Sequence, residues 1–114
     1  MTSSSPLHVL FVCGRAQWRS PTAERIFGRD PSLATRARGV SSSAERPLRE
    51  VDIRWSDVIF VMEPEHSSRV RKQFRNALES RPIHVLDIPD EFEFMDPELI
   101  ERLEAAVPGY LARD

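Results

Sequence analysis

The chain has 114 residues, a formal net charge of −2 and 40% apolar residues. That size supports one domain with a modest core, and that balance excludes a disordered or fibrous chain and a broad attraction to nucleic acid. One cysteine excludes an internal disulfide; with no apolar run long enough for a membrane span and no signal-peptide core, a reducing, cytoplasmic setting is the expectation.

Taken in order, residues 1–6 are polar and are expected to form a flexible tail, with the domain covering 7–114. The run His8 to Val12 predicts a buried parallel strand. Ser20-Pro21 predicts a helix start, hydroxyl cap then proline, and Asp30-Pro31 its end. Thr35 to Ser42 is a weaker strand. Leu48, Val51 and Trp55 recur at helical spacing, and Asp57 to Met62 reads as a second buried strand. Val70, Phe74, Ala77 and Leu78 mark a helix after Pro64, and Ile83 to Ile88 the last strand. Leu99, Leu103, Ala106, Val107 and Tyr110 mark a final helix, which Asp96-Pro97-Glu98 opens with a cap, a proline and a dipole-matched acid. Strands alternating with helices predict a single-domain α/β sandwich around a parallel sheet, with ligands bound beyond the carboxyl ends of the strands.

Cys13 lies at such an end, and Arg19-Ser20-Pro21 follows it across a short loop. Backbone N–H groups of such a loop and the start of the next helix form a nest for a tetrahedral oxyanion. That electropositive setting also favours a thiolate. A guanidinium at Arg19 has the planar fork to clamp two phosphate oxygens. Together these are the parts a cysteine-dependent phosphatase needs.

The stretch Val9 to Cys13 and Arg19 to Glu24 resembles the opening of the low-molecular-weight protein tyrosine phosphatases. Trp55 to Met62 resembles that family's third strand, and Leu86 to Phe92 its acid-bearing loop. With Phe94 to Leu99 added, the likeness is to a short, compact branch of the group. The resemblance implies a flavodoxin-like fold with a four-stranded parallel sheet, no metal and no cofactor. It also implies Cys13 as nucleophile, Arg19 as oxyanion clamp, a phosphate loop of Gly14, Arg15, Ala16, Gln17 and Trp18, and a Ser20 hydroxyl bonded to the thiolate. Three departures stand out. Arg15 and Ala16 replace a glycine and an asparagine, the latter holding the loop in a strained form. Trp18 replaces a second loop cysteine, so no protective disulfide can form. The chain is also shorter than is usual for the family, so the pocket walls are expected to differ.

A general acid is needed as well, and Asp87, Asp90 and Asp96 are the candidates. Asp96 is explained as a cap, and Asp87 sits at the strand end. Asp90, with Phe92 two residues on, fits best. Trp18 either covers the sheet edge or stacks on an aryl group or base, with Phe92 and Phe94 as the facing wall. Arg15 offers a second positive charge to a phosphate or points to solvent. His8, His66 and His84 lack metal-ligand spacing and read as structural. The basic run Arg69 to Arg75 reads as the solvated face of a helix. The expected partner is a phosphomonoester, either a phosphotyrosine protein or a small aryl or nucleotide phosphate. Rival readings are a nucleotide or RNA-end phosphatase and a non-catalytic phosphate-binding module. Arsenate reduction needs several cysteines, which this chain lacks. Composition gives no oligomeric state.

Overall fold

A computed structural model describes residues 5–111. Residues 1–4 of the expected tail and the last three of the expected domain lie outside the described residues. The elements in order are β1 (Leu7–Cys13), α1 (Arg19–Phe27), β2 (Leu33–Gly39), α2 (Glu50–Trp55) and β3 (Val58–Val61). They are followed by α3 (Pro64–Gln73), α4 (Arg75–Leu78), β4 (Ile83–Val85) and α5 (Pro97–Leu111). The strands form one four-stranded sheet in the order β2-β1-β3-β4, with every pair parallel.

Strand alternation sorts the core into two layers. Val9, Phe11, Val58, Phe60 and Met62 face one side, where Ala23 of α1 and Leu99, Leu103 and Val107 of α5 meet them. Leu10, Val12, Ile59 and Val61 face the other, against Ile53, Val70, Ala77 and Leu78. A strand covered on both faces has no polar side, which is why β1 and β3 read as continuous apolar runs. The Phe11 ring stacks on Phe27 and Phe60, linking strands to helix. Phe11 and Phe60, both fully buried, each contribute about 1.5–3 kcal/mol of transfer free energy.

The edge strand β2 is built differently. Ala37 and Gly39 are buried, while Arg36 and Arg38 lie in register with Leu10 and Val12, on the face covered by α2, and both meet the buried Asp52 carboxylate, at 3.0 and 3.2 Å. The other oxygen of Asp52 accepts the Arg49 N–H at the start of α2. Charge along an edge strand also blocks pairing with further strands.

Several boundaries depart from expectation. Helix α1 begins at Arg19, with Trp18 at the N-cap position, so Ser20 is not the cap and Pro21 is the third helical residue. Proline fits there because the first four helical N–H groups have no intrahelical partner. The expected third helix is two helices that break at Phe74. The last strand ends at Val85, yet Leu86 and Ile88 still donate backbone hydrogen bonds to Val61 and Met62. Between them Asp87 takes φ +62° and interrupts the ladder. Aspartate tolerates this left-handed region better than most residues. At the start of α5, Asp96 Oδ1 accepts the Glu98 N–H at 2.8 Å, the expected cap. No helix among the described residues is long and apolar enough to cross a membrane.

After β1 the chain moves to β2 on one side and then returns to β3 on the other. The carboxyl ends of β1 and β3 therefore open onto a crevice where the connections diverge, the usual ligand position in such sheets.

Candidate active site

Cys13 is the last residue of β1 and the thiol is buried at the floor of that crevice, 3% exposed. Two hydrogen-bonding groups converge on its sulfur, and both can donate when it is a thiolate. The Ser20 hydroxyl lies 3.0 Å from Sγ, and the Ala16 backbone N–H donates to it at 3.2 Å. The Ala16 bond requires the loop to double back, and Ala16 does so at φ +59°. For a residue with a Cβ this conformation costs about 1–2 kcal/mol. With no asparagine side chain in the loop, backbone contacts with the segment after β2 hold it. Val40 N donates to Cys13 O at 2.9 Å, and Ser41 N to Gly14 O at 2.8 Å.

Gly39, the last residue of β2, makes that approach possible. A Cβ there would lie 2.8 Å from the Gly14 carbonyl oxygen and 2.8 Å from the Arg15 carbonyl carbon. Both are backbone atoms of the loop and have little room to give. Gly39 was not among the residues singled out from the sequence. The available signal was a glycine closing a strand, which commonly marks a close backbone approach.

Arg19 is 4% exposed and fixed from below. Its Nη1 donates to Glu63 Oε1 at 2.9 Å and to the Ile88 carbonyl at 2.8 Å. The kink at Asp87 brings that carbonyl into place. Since no buried side-chain polar atom among the described residues lacks a partner, the remaining donors of the fork keep solvent contact. Asp90 places Oδ1 3.8 Å from Arg19 Nε, and its side chain is 63% exposed. Cys13, Gly14, Arg15, Gln17, Trp18, Arg19 and Asp90 line a cleft of about 60 Å³. That is roughly four times the ~15 Å³ one water needs, and suits a small oxyanion.

Glu63 is held in turn by His66. The Glu63 N–H donates to His66 Nδ1 at 3.1 Å, which fixes the neutral ring as the Nε2–H tautomer, with Nε2 3.5 Å from Glu63 Oε1. Burial pushes the His66 pKa down, and the Arg19 charge adds to this against the opposing pull of Glu63 and Glu65. Glu63, Glu65 and His66 bring possible ligand atoms within 4.8 Å of one another. Nδ1 and the Glu63 carboxylate are already engaged, so the group fits a metal poorly.

The structure therefore brings Cys13, Gly14, Arg15, Gln17, Trp18, Arg19 and Asp90 to one cleft. Ala16 and Ser20 sit behind it, against the sulfur. Trp18 is 43% exposed at its rim. The expected aromatic wall is not assembled. Phe92 is 5% exposed and belongs to the core layer of α1 and α5, with the Arg102 guanidinium over its ring. Phe94 is exposed but is not among the residues lining the cleft. Phe92 lies in the irregular segment between β4 and α5, and its apolar ring is drawn into the core layer that also holds Leu99. Asp87 is exposed and outside the lining, and Asp96 is engaged as a helix cap.

A parallel sheet with a cysteine-bearing loop at its switch point and an arginine behind it defines an α/β protein with a small cleft at the carboxyl ends of its strands. Comparison with solved structures narrows the fold further. The chain is similar to the YwlE arginine phosphatase from Geobacillus stearothermophilus at 20% identity, covering 92% of this chain and 95% of that one, with a TM-score of 0.68. It is similar to the tyrosine phosphatase Wzb from Escherichia coli K30 in complex with phosphate at 19% identity, over 90% and 94% of the two chains, with a TM-score of 0.71. Vibrio vulnificus Wzb in complex with benzylphosphonate matches at 17% identity over 93% and 97%, with a TM-score of 0.74. No family model and no curated protein matches the sequence. The fold is that of the low-molecular-weight protein tyrosine phosphatases, as the resemblance in the sequence implied.

Proposed function

We propose that this protein is a metal-independent, cysteine-dependent phosphomonoesterase acting on an aryl phosphate such as phosphotyrosine in a protein, in the cytoplasm. The observation that carries this reading is the convergence of Ser20 Oγ and Ala16 N on Cys13 Sγ, at 3.0 and 3.2 Å, at the floor of a cleft walled by Arg19 and Asp90. Two donors on a sulfur stabilise a thiolate, and the thiolate is the nucleophilic form.

In the first step the Cys13 sulfur forms a bond to phosphorus as the ester P–O bond breaks in line. The Asp90 carboxyl donates its proton to the departing oxygen. In the second, the Asp90 carboxylate takes a proton from water while the water oxygen displaces sulfur. Inorganic phosphate leaves and the thiolate is restored. Charge spread over the equatorial oxygens is met by the free donors of Arg19 and by loop N–H groups fixed before substrate arrives. Because Nη1 of Arg19 is anchored on Glu63 and Ile88, its fork is aimed in advance.

A cleft of about 60 Å³ takes the phosphate and leaves the alcohol outside, against Trp18. A flat aryl leaving group matches that exposed indole. The structural neighbours include an arginine phosphatase and tyrosine phosphatases, and the architecture they share with this chain supports the reaction type.

Steady-state hydrolysis of a generic aryl phosphate in the presence of a chelator tests the reading. Wild type is expected to turn over and Cys13→Ser to lose activity while still binding phosphate. Activity that disappears in chelator and returns with a divalent ion, or survives in Cys13→Ser, contradicts it.

A further inference from the structure

Arg15 stands within the loop between Cys13 and Arg19, is exposed and lines the cleft. Among the described residues its one hydrogen bond is from Nη2 to Ser43 Oγ, at 3.4 Å. Arg69, exposed on α3, donates from Nη2 to the Val40 carbonyl at 3.1 Å. Both guanidinium groups thus end on the segment 40–43, which is itself bonded to the loop through Val40 N and Ser41 N. Neither meets a carboxylate among the described residues, which is equally true of Arg25, Arg29, Arg49, Arg71 and Arg75; what sets Arg15 and Arg69 apart is that both end on one segment bonded to the Cys13 loop. Ser41 and Ser43 hydroxyls, 2.8 Å apart, add neutral hydrogen-bonding groups between the two arms. Asp90, which also lines the cleft, carries the other sign, and Glu91 and Glu93 close to it in the chain are exposed.

From this juxtaposition of Arg15 and Arg69 on the 40–43 segment, we infer that the preferred substrate carries a second anionic group beside its phosphomonoester. That group is seated against these two guanidinium groups, away from the Asp90 carboxylate. The inference rests on the phosphatase reading above and names its substrate class. A guanidinium held loosely by a hydroxyl and a carbonyl keeps donors for a carboxylate or phosphate, and the planar fork suits either. The second anion is bound in ground state and transition state alike, so its effect falls on KM rather than kcat.

The test measures kcat/KM at low ionic strength for two matched pairs. One pair is phosphotyrosine peptides flanked by aspartate or by asparagine, and the other is a nucleoside bisphosphate against the nucleoside monophosphate. The member with the extra anion is expected to be favoured about tenfold in one pair, which identifies a protein or a small-molecule source. Exposed charge pairs are each worth a factor of about two to five, and salt should erode the preference. Arg69→Gln should reduce the ratio and Arg69→Glu should reverse it. Equal kcat/KM within both pairs, or a preference that Arg69→Glu leaves unchanged, overturns the inference while the phosphatase reading stands. Absence of turnover on every substrate, a generic aryl phosphate included, overturns both.

Discussion

Asp96 commits an oxygen to the Glu98 amide at 2.8 Å, whereas Asp90 holds its carboxylate at the mouth of the cleft, 3.8 Å from Arg19 Nε. The two residues should therefore fail differently when altered. Asp90→Asn is expected to lower kcat by about a hundredfold or more, since it removes proton transfer in both steps. Its denaturation midpoint should barely move, because the side chain is largely solvated. Asp96→Ala should keep its turnover and lose about 1 kcal/mol of stability with the cap. Paired kinetics and urea unfolding of the two variants check this, and a kinetic collapse in Asp96→Ala would reassign the acid. At the same scale, Ser20 shows what the residues alone did and did not disclose. A serine before proline looks like a cap, and only the family resemblance pointed its hydroxyl to the thiolate; α1 starts two residues earlier, at Arg19, and Ser20 Oγ lies 3.0 Å from the sulfur. Phe92 is a similar case, since an aromatic residue near an acid gives no sign of whether it faces the cleft or the core.

At the scale of elements, the loop that carries Cys13 is shaped by β2 more than by its own side chains. It contains a left-handed alanine, and the compensating contacts come from Val40 and Ser41 beyond Gly39. Gly39→Ala should displace the loop backbone, because its Cβ would fall 2.7–2.8 Å from Ala44 Cβ, the Gly14 carbonyl oxygen and the Arg15 carbonyl carbon. The expected outcome is a loss of phosphate affinity together with at least about 1 kcal/mol of stability, in line with overpacking costs. Phosphate titration and thermal unfolding measure the two effects; an unchanged affinity would show that the loop holds its shape without β2. The central strands and α5 were readable in advance because burial on two faces, or on one helical face, leaves an unbroken apolar signature. Edge strand β2 was faint because Arg36 and Arg38 belong to it and are neutralised by Asp52, a partner remote in sequence. The break between α3 and α4 at Phe74 left no proline or glycine to mark it.

At the scale of the whole molecule, the site and the stability of the fold share one buried histidine. Burial lowers the His66 pKa, with Arg19 acting in the same direction, Arg69 adding slightly, and Glu63 and Glu65 opposing. The unfolded chain therefore binds more protons than the folded one below about pH 6.5, the ordinary value for histidine. Stability is expected to be level in this respect above that pH and to fall as the pH drops through the window towards the depressed value. Urea midpoints measured across this range should show the loss in wild type and a shallower dependence in His66→Gln. Identical slopes would mean that other groups govern acid unfolding. The overall fold was legible because α/β alternation constrains topology strongly, and the meeting of Cys13 and Arg19 at one cleft because their spacing reports the loop between them. The supports of the clamp, Glu63 and the Ile88 carbonyl, come from distant segments, and neither has a local sequence signature.

The central claim is that phosphate passes through Cys13. Rapid quenching of wild-type enzyme during turnover of an aryl phosphate, followed by peptide mass spectrometry, addresses it most directly. The account predicts a transient phosphoryl group on the peptide containing Cys13, formed and lost at rates that match turnover. Turnover with no phosphoenzyme despite a rate-limiting second step, or with phosphate on another residue, would contradict it.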